Sequence, residues 1–299
     1  MTPPTSTPKP GRLNVGVVGA GKVGASLGAA LRLAGHLVVG ASGVSDASLT
    51  RIDTMLAGVR RMDVEEVVRR SELVFLAVPD DAITELVEGL AAVGAWRGGQ
   101  LVAHCSGRLG LDALDAASRA GAVALAIHPA MTFTGTSLDL DRMVGASFAV
   151  TAPAAFLPIA QALVVEMGGE PIVVGDAARP LYHAALVHGA NHVVTLVSQA
   201  AALLADAGVE DPGRLLGPLI HACVDGALAD APGAVSTLTG PVVRGDAGTV
   251  ASHVAALASR PEAAHAYRAM ARTTADIALS SGRIGPADYA AVIAALGEN

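Results

Sequence analysis

Lysine is almost missing from this 299-residue chain, occurring only as Lys9 and Lys22. No position beyond 22 can therefore supply a lysine general acid. Cysteine is nearly as scarce. Cys105 and Cys223 are too few for a disulfide framework and neither lies in a CxxC pair, which fits a reducing, cytoplasmic setting. Positive charge is also short: 20 basic residues stand against 27 acidic ones, a net charge of −7. That balance argues against nucleic acid and against a polybasic membrane patch as partners. The start of the chain is rich in proline and threonine and has no apolar core, so residues 1–11 read as a flexible tail rather than a signal peptide. The longest apolar stretch, Tyr182 to Ala205, is interrupted by His183, His188, Asn191, His192 and Gln199. It reads as a buried helix rather than a membrane span.

What the chain does have is glycine in a meaningful place. Val15 to Val18 form a short apolar strand, Gly19-Ala20-Gly21-Lys22-Val23-Gly24 a glycine turn, and Ala25 to Leu33 an opening helix. In this context Gly19 permits the tight turn, Gly21 lets backbone N–H groups approach a pyrophosphate, and Gly24 lets the helix pack closely on the strand. Further strand-like runs follow at His36–Ala41, Leu73–Val78, Leu101–Gly107, Val123–Pro129, Phe148–Thr151 and Pro171–Gly175. Helical segments such as Asp80–Val93 and Ala154–Met167 lie between them. The alternation predicts an α/β fold with a doubly wound parallel Rossmann sheet over residues 12–176. After about 175–180 the texture becomes Ala- and Leu-rich with helical periodicity, punctuated at Asp211-Pro-Gly, Ala231-Pro-Gly and Ile284-Gly-Pro. Residues 177–299 are expected to be an all-helical second domain.

In such a sheet the ligand lies beyond the carboxyl ends of the strands. An NAD enzyme usually carries an acid at the end of the second strand, where this chain has Ala41-Ser42-Gly43. Without the acid, Ser42, Ser45 and Arg51 can donate to a 2′-phosphate, so NADP is expected over NAD, although Asp46 lies close by. The expected cofactor contacts are Gly19 to Gly24, Ser42, Ser45, Arg51, Val78, Pro79, His104 and Ser106.

The glycine turn followed by Val74-Phe-Leu-Ala-Val-Pro-Asp80 resembles the hydroxyacid dehydrogenases, pyrroline-carboxylate reductases and ketopantoate reductases. A narrower resemblance rests on His104-Cys-Ser-Gly107, Ile127-His-Pro-Ala-Met-Thr-Phe133, Tyr182-His-Ala-Ala185 with Asn191, and Leu238-Thr-Gly-Pro-Val-Val-Arg-Gly-Asp246 with His253. Together these look like Rossmann-like proteins with a DUF2520 C-terminal domain, from Asn14 to about Ser280. Some members are similar to an alternative ketopantoate reductase. The resemblance therefore implies NADPH-dependent reduction of a small 2-keto acid, ketopantoate to pantoate.

Reduction of a ketone needs a proton donor and a cation for the substrate carboxylate. The familiar relatives draw the proton from a lysine four residues before an asparagine; here Val187 precedes Asn191 by four. His183 and His188 flank Asn191 on an α-helical wheel, so either can share its face. His183 is the expected general acid, since imidazole titrates near neutrality. The bland alternative is a histidine bridging a buried helix pair. Thr239, Arg244 and Asp246 lie in a glycine-punctuated turn suited to closing over a carboxylate substrate. Arg244 would bind it bidentately and Asp246 would orient Arg244 or His253. The competing reading is a structural helix-entry loop. His188 and His192 have metal-ligand spacing but no third ligand, so no metal is expected. Cys105 reads as a packed thiol, while His104, Ser106 and His128 fall at strand ends beside the expected nicotinamide. Two further functions stay open: reduction of a cyclic imine such as pyrroline-5-carboxylate, and a non-catalytic NADP-binding regulator. The surplus of apolar helix predicts a homodimer.

Overall fold

The structure, a computed structural model, describes residues 11–229 and 237–297. The tail up to residue 10 and the punctuation at Ala231-Pro-Gly lie outside them. Among the described residues the sheet has seven strands: β1 (Asn14–Val18), β2 (Leu37–Ser42), β3 (Leu73–Leu76), β4 (Leu101–His104), β5 (Val123–Pro129), β6 (Ser147–Thr151) and β7 (Glu170–Val173). Their order is β2-β1-β3-β4-β5-β6-β7. The chain runs outward from β1 in both directions, which puts the switch in strand order between β1 and β3, where a nucleotide crevice opens.

Neighbouring strands are parallel with one exception: β6 runs antiparallel to β5, with Pro129 opposite Phe148 and Ala126 opposite Thr151. The sheet is otherwise the expected parallel Rossmann sheet. The connection from Ala130 to Ala146 holds only the six-residue helix Leu138–Met143, and it returns the chain to the end of the sheet it left. A parallel partner needs a crossover the full length of the sheet.

The inner strands are continuous apolar runs because helices cover both faces, whereas the edge strand β7, which starts at Glu170, is largely exposed. One face buries Val15, Val17, Leu73, Phe75 and Phe148 with Leu27 and Leu31 of α1 (Lys22–Leu33) and Ile52 of α2 (Asp46–Met55). The other buries Val18, Val74, Leu76 and Val102 with Ile83 and Val87 of the helix Asp80–Ala92. Truncating a fully buried side chain such as Phe75 to alanine costs about 3–5 kcal/mol.

After β7 the described elements are helical. Compactness divides the chain between Ala190 and Asn191, later than the change of texture at 176/177. The helix Arg179–Leu186 accounts for the difference, since the buried Arg179 bonds Thr151 and Ser106 of the sheet unit. A π turn, Val187–Asn191, follows, then the helices His192–Asp206 and Pro212–Ala229. The second unit buries Val242, Val250, Ala271, Ala275, Val292 and Leu296 among its last three helices, Ala247–Ala256, Pro261–Ser280 and Pro286–Ala295.

The apolar stretch from Tyr182 to Ala205 is helical as expected, but not buried. His192–Asp206 has no buried residue and Pro212–Ala229 buries only Leu216. No described helix is long and apolar enough to cross a membrane.

Candidate cofactor and active site

The glycine turn is built for an anion. Gly19 takes φ +88°, a left-handed value that favours glycine, and an added Cβ would sit 2.8 Å from the Ala77 carbonyl. A Cβ on Gly24 would lie 2.2 Å from the Gly19 carbonyl oxygen, so only glycine lets α1 approach this closely. Gly21, at the helix N-cap, faces open space. Val78 packs on the turn, with Cγ1 3.0 Å from the point where a Gly19 Cβ would be. Pro79 caps the helix that begins at Asp80. The cradle fits a dinucleotide pyrophosphate.

The donors expected for a 2′-phosphate divide. Ser42 is buried: its carbonyl accepts from Ala20 N–H at 2.7 Å and its hydroxyl takes a long contact, 3.4 Å, from Gly19 N–H. Ser45 caps α2, accepting from Ser48 N–H, with the Ser48 hydroxyl contacting the Ser45 N–H in return. Both serines are thus committed to local structure. Arg51 and Lys22 form no ion pair among the described residues.

At the ends of β4 and β5 a polar cluster gathers within the first unit. His104 is buried with both ring nitrogens engaged: Nε2–H donates to Gly110 O at 3.0 Å, and Nδ1 accepts from Ser106 N–H at 3.2 Å. Burial pushes its pKa down to about 4, so the ring is neutral. His104 fixes the loop and has no nitrogen left for a ligand. The Ser106 hydroxyl donates to Asp80 at 2.6 Å and accepts from Leu109 N–H. Arg108 also approaches Asp80, Nε to Oδ2 at 3.3 Å.

His128 Nδ1 and the Tyr182 hydroxyl share a 2.9 Å hydrogen bond, with the rings edge to face at 5.7 Å. The His183 ring lies edge-on to His128, centroids 6.0 Å apart. Gly107 makes room for both: its added Cβ would be 2.5 Å from His183 Cδ2 and 3.0 Å from His128 Nε2. Burial, with the Arg179 charge next, pushes the His128 pKa down to about 4. Burial likewise raises the Tyr182 phenol, and Arg179 offsets part of that rise. His183 is half-buried, and neither ring nitrogen has a hydrogen-bond partner among the described residues. Cys105 is a packed thiol, pushed by burial up to about 12.

Sequence reasoning missed Arg179. Its guanidinium is buried, donating to Thr151 Oγ1 at 2.9 Å and Ser106 O at 2.6 Å, while Nε finds no partner. One signal was available: Arg179 stands in the first turn of a helix, where a cation opposes the macrodipole.

The remaining expected residues belong to the second unit. A π turn occupies Val187–Asn191, so the α-helical phase that placed Asn191 on a shared face with His183 does not hold there. Thr239 lines a cavity of about 240 Å³ with His253, Tyr267 and Thr274. Arg244 is exposed. Asp246 orients neither Arg244 nor His253 by a hydrogen bond. It caps the following helix, accepting from Thr249 N–H at 3.0 Å and Thr249 Oγ1 at 2.7 Å, and these bonds hold its carboxyl below the usual range.

Strand order, glycine turn and covered sheet define a Rossmann-type dinucleotide-binding fold. The chain combines a Rossmann-like domain, matched over residues 1–129, with a domain of unknown function, DUF2520, matched over 146–274. No curated protein matches the sequence. Among solved structures it is similar to a proposed NADP oxidoreductase from Bacteroides fragilis (TM-score 0.73, 20% identity, 89% of this chain and 98% of that one). A protein from Thermotoga maritima gives a TM-score of 0.67 at 22% identity, over 90% of this chain and 99% of the other. An imine reductase from Myxococcus stipitatus in complex with NADP+ gives 0.63 at 16% identity, over 95% and 100%.

Proposed function

We propose that the chain is an NADPH-dependent reductase of a small 2-keto acid, with ketopantoate as the specific substrate. The observation that carries this reading is the state of His183. Of the three imidazoles near the ends of β4 and β5, His104 has both nitrogens bonded and His128 has one, and burial keeps both neutral near pH 7. His183 alone presents two unbonded ring nitrogens beside the opening that Gly107 leaves. In this reading His183 gives a proton to the developing alkoxide. The backbone N–H groups of Gly19 to Gly24 would hold the cofactor pyrophosphate, leaving the Lys22 side chain outside that contact, and the reduced nicotinamide supplies the hydride when bound. Tyr182 orients His128, whose ring in turn fixes the edge of His183. Carboxylate recognition is assigned to Arg244, with Thr239 and Asn191, on the chemistry of those side chains alone.

A second reading, reduction of a cyclic imine, draws on the scarcity of acids. A protonated imine brings its own proton, and a site with two neutral histidines and no lysine suits it. NADPH oxidation followed with ketopantoate and with pyrroline-5-carboxylate separates the two. With the preferred substrate, His183→Ala is expected to lower kcat by about 100-fold or more while NADPH binding holds. Tight NADPH binding with no turnover of any keto acid or imine would instead support a non-catalytic regulator. A homodimer is part of the proposal, since exposed Leu181, Val194, Leu215, Leu219 and Leu228 leave apolar helix faces uncovered in the single chain. Sedimentation showing only monomer overturns it.

A further inference from the structure

The turn at Thr134–Gly135, which follows β5, reaches the two unpaired cations of the glycine-turn region. Gly135 has φ +79°, and an added Cβ there would lie 2.6 Å from Arg51 Nε and 2.9 Å from Lys22 Cγ. One small spot is thus flanked by the arginine of α2 and the lysine that opens α1, and a methyl there would press on both side chains. The turn is fastened from below by Asp139, which is fully buried. The Asp139 carboxylate accepts from Thr134 N–H at 2.9 Å, Thr134 Oγ1 at 2.7 Å, Gly135 N–H at 2.7 Å and Ser26 Oγ at 2.9 Å. Ser26 lies on α1 and also donates to the Lys22 carbonyl, so the same network ties the turn to the helix that bears Lys22. Burial alone would raise the Asp139 pKa, but these hydrogen bonds outweigh it and hold the carboxyl below its usual range. The acid stays an acceptor.

The Arg51 guanidinium and the stem of Lys22 converge on Gly135, neither charge has an ion-pair partner among the described residues, and like charges held in one region favour an anion between them. Lys22 is exposed and Arg51 half-buried, and Asp139 is spent on the turn. Arg51 stands on the helix after β2, the strand whose end meets the adenosine ribose in this fold. Ser42 and Ser45, the other donors nearby, are already engaged.

We propose that Lys22 and Arg51 together form the seat of the cofactor 2′-phosphate, and that the Gly135 turn, locked by Asp139, is the positioning element that sets preference for NADP over NAD. Lys22 supplies a point charge and Arg51 a planar fork, a pairing suited to a dianionic phosphate. The inference rests on the reading of the chain as NADP-binding and adds a specificity device from the segment that follows β5.

Fluorescence titration of the full chain with NADPH and NADH tests it without any turnover. NADPH carries the 2′-phosphate and NADH the same pyrophosphate without it, so the pair separates the two anions. Arg51→Ala and Lys22→Ala alter side chains that bear no structural hydrogen bond. Each is expected to weaken NADPH by about 10-fold or more and leave NADH within about 2-fold. Gly135→Ala should lower the NADPH-to-NADH preference several-fold while both cations remain. Parallel losses for the two nucleotides, or an unchanged preference in both alanine variants, overturn the proposal while leaving a nucleotide-binding protein in place. A wild-type chain that binds neither nucleotide overturns this inference and the reductase reading together.

Discussion

The molecule carries one side-chain pair twice. His128 and Tyr182 in the first unit share a 2.9 Å hydrogen bond with ring centroids 5.7 Å apart at 84°; His253 and Tyr267 in the second do so at 2.9 Å, 5.7 Å and 82°. The pair geometries are nearly interchangeable, yet their surroundings differ in every respect that matters for chemistry. His128 ends a buried strand, feels the Arg179 charge, touches a third ring and has its pKa driven to about 4. His253 is exposed on a helix, and the nearby Asp246 is occupied as a cap. A hydrogen-bonded pair therefore does not define a site; burial, a fixed neighbouring charge and an unfilled space beside it do.

The contrast can be broken most forcefully at Gly107. Gly107→Ala inserts a methyl 2.5 Å from His183 Cδ2 and forces that ring away. A displacement of that size is expected to cost about 10- to 100-fold in kcat. His253→Gln, which dismantles the second pair, should change kcat by less than about 3-fold. Equal losses from the two would erase the distinction.

Acid sharpens it next. His104 and His128 have folded-state pKa values of about 4 against 6.5 in the unfolded chain. Between those values the unfolded state binds protons that the folded state refuses, so their contribution is present above pH 6.5 and lost as pH falls toward 4. By pH 5 each histidine costs on the order of 2 kcal/mol of stability. Urea midpoints at pH 7 and pH 5 measure this, and His128→Gln should flatten the response while His253→Gln leaves it intact.

The smallest effect belongs to the second unit. Asp246→Ala removes a helix cap and is expected to lower the thermal midpoint by about 2–4 °C with turnover unchanged. A large loss of turnover with no change in midpoint would restore Asp246 to the site.

The strands were legible because the inner ones are continuous apolar runs closed by Gly, Pro or a polar turn, and all seven lie within a few residues of where the pattern puts them. The reversal of β6 was not, since strand direction follows the path of residues 130–146 rather than any periodicity. The glycine turn could be read residue by residue because its geometry is local. Ser45 and Asp246 misled for the opposite reason: each stands three residues before a hydroxyl-bearing residue whose N–H it caps, and local capping claimed the oxygens first. Arg179 bonds Ser106, Gly135 meets Lys22 and Arg51, and Asp139 adds to its local bonds one to Ser26; these distant partners carry no signal in the sequence pattern. The π turn at Val187–Asn191 shows a further limit, because a helical wheel fails once the helix changes its pitch.

The bond between Ser26 and Asp139 joins residues 113 positions apart. β1, the glycine turn and α1 make a local unit that can form early, whereas this bond must wait until the chain has laid down its first five strands. The Gly135 amide bonds the same carboxylate, and where the Ser26 bond is what holds that carboxylate in place, pulse labelling is expected to show this amide gaining protection after those of β1 and α1. On the proposed assignment of the Gly135 turn, a nascent chain passes through a stage at which it has the cradle and has not yet acquired the means to choose between nucleotides.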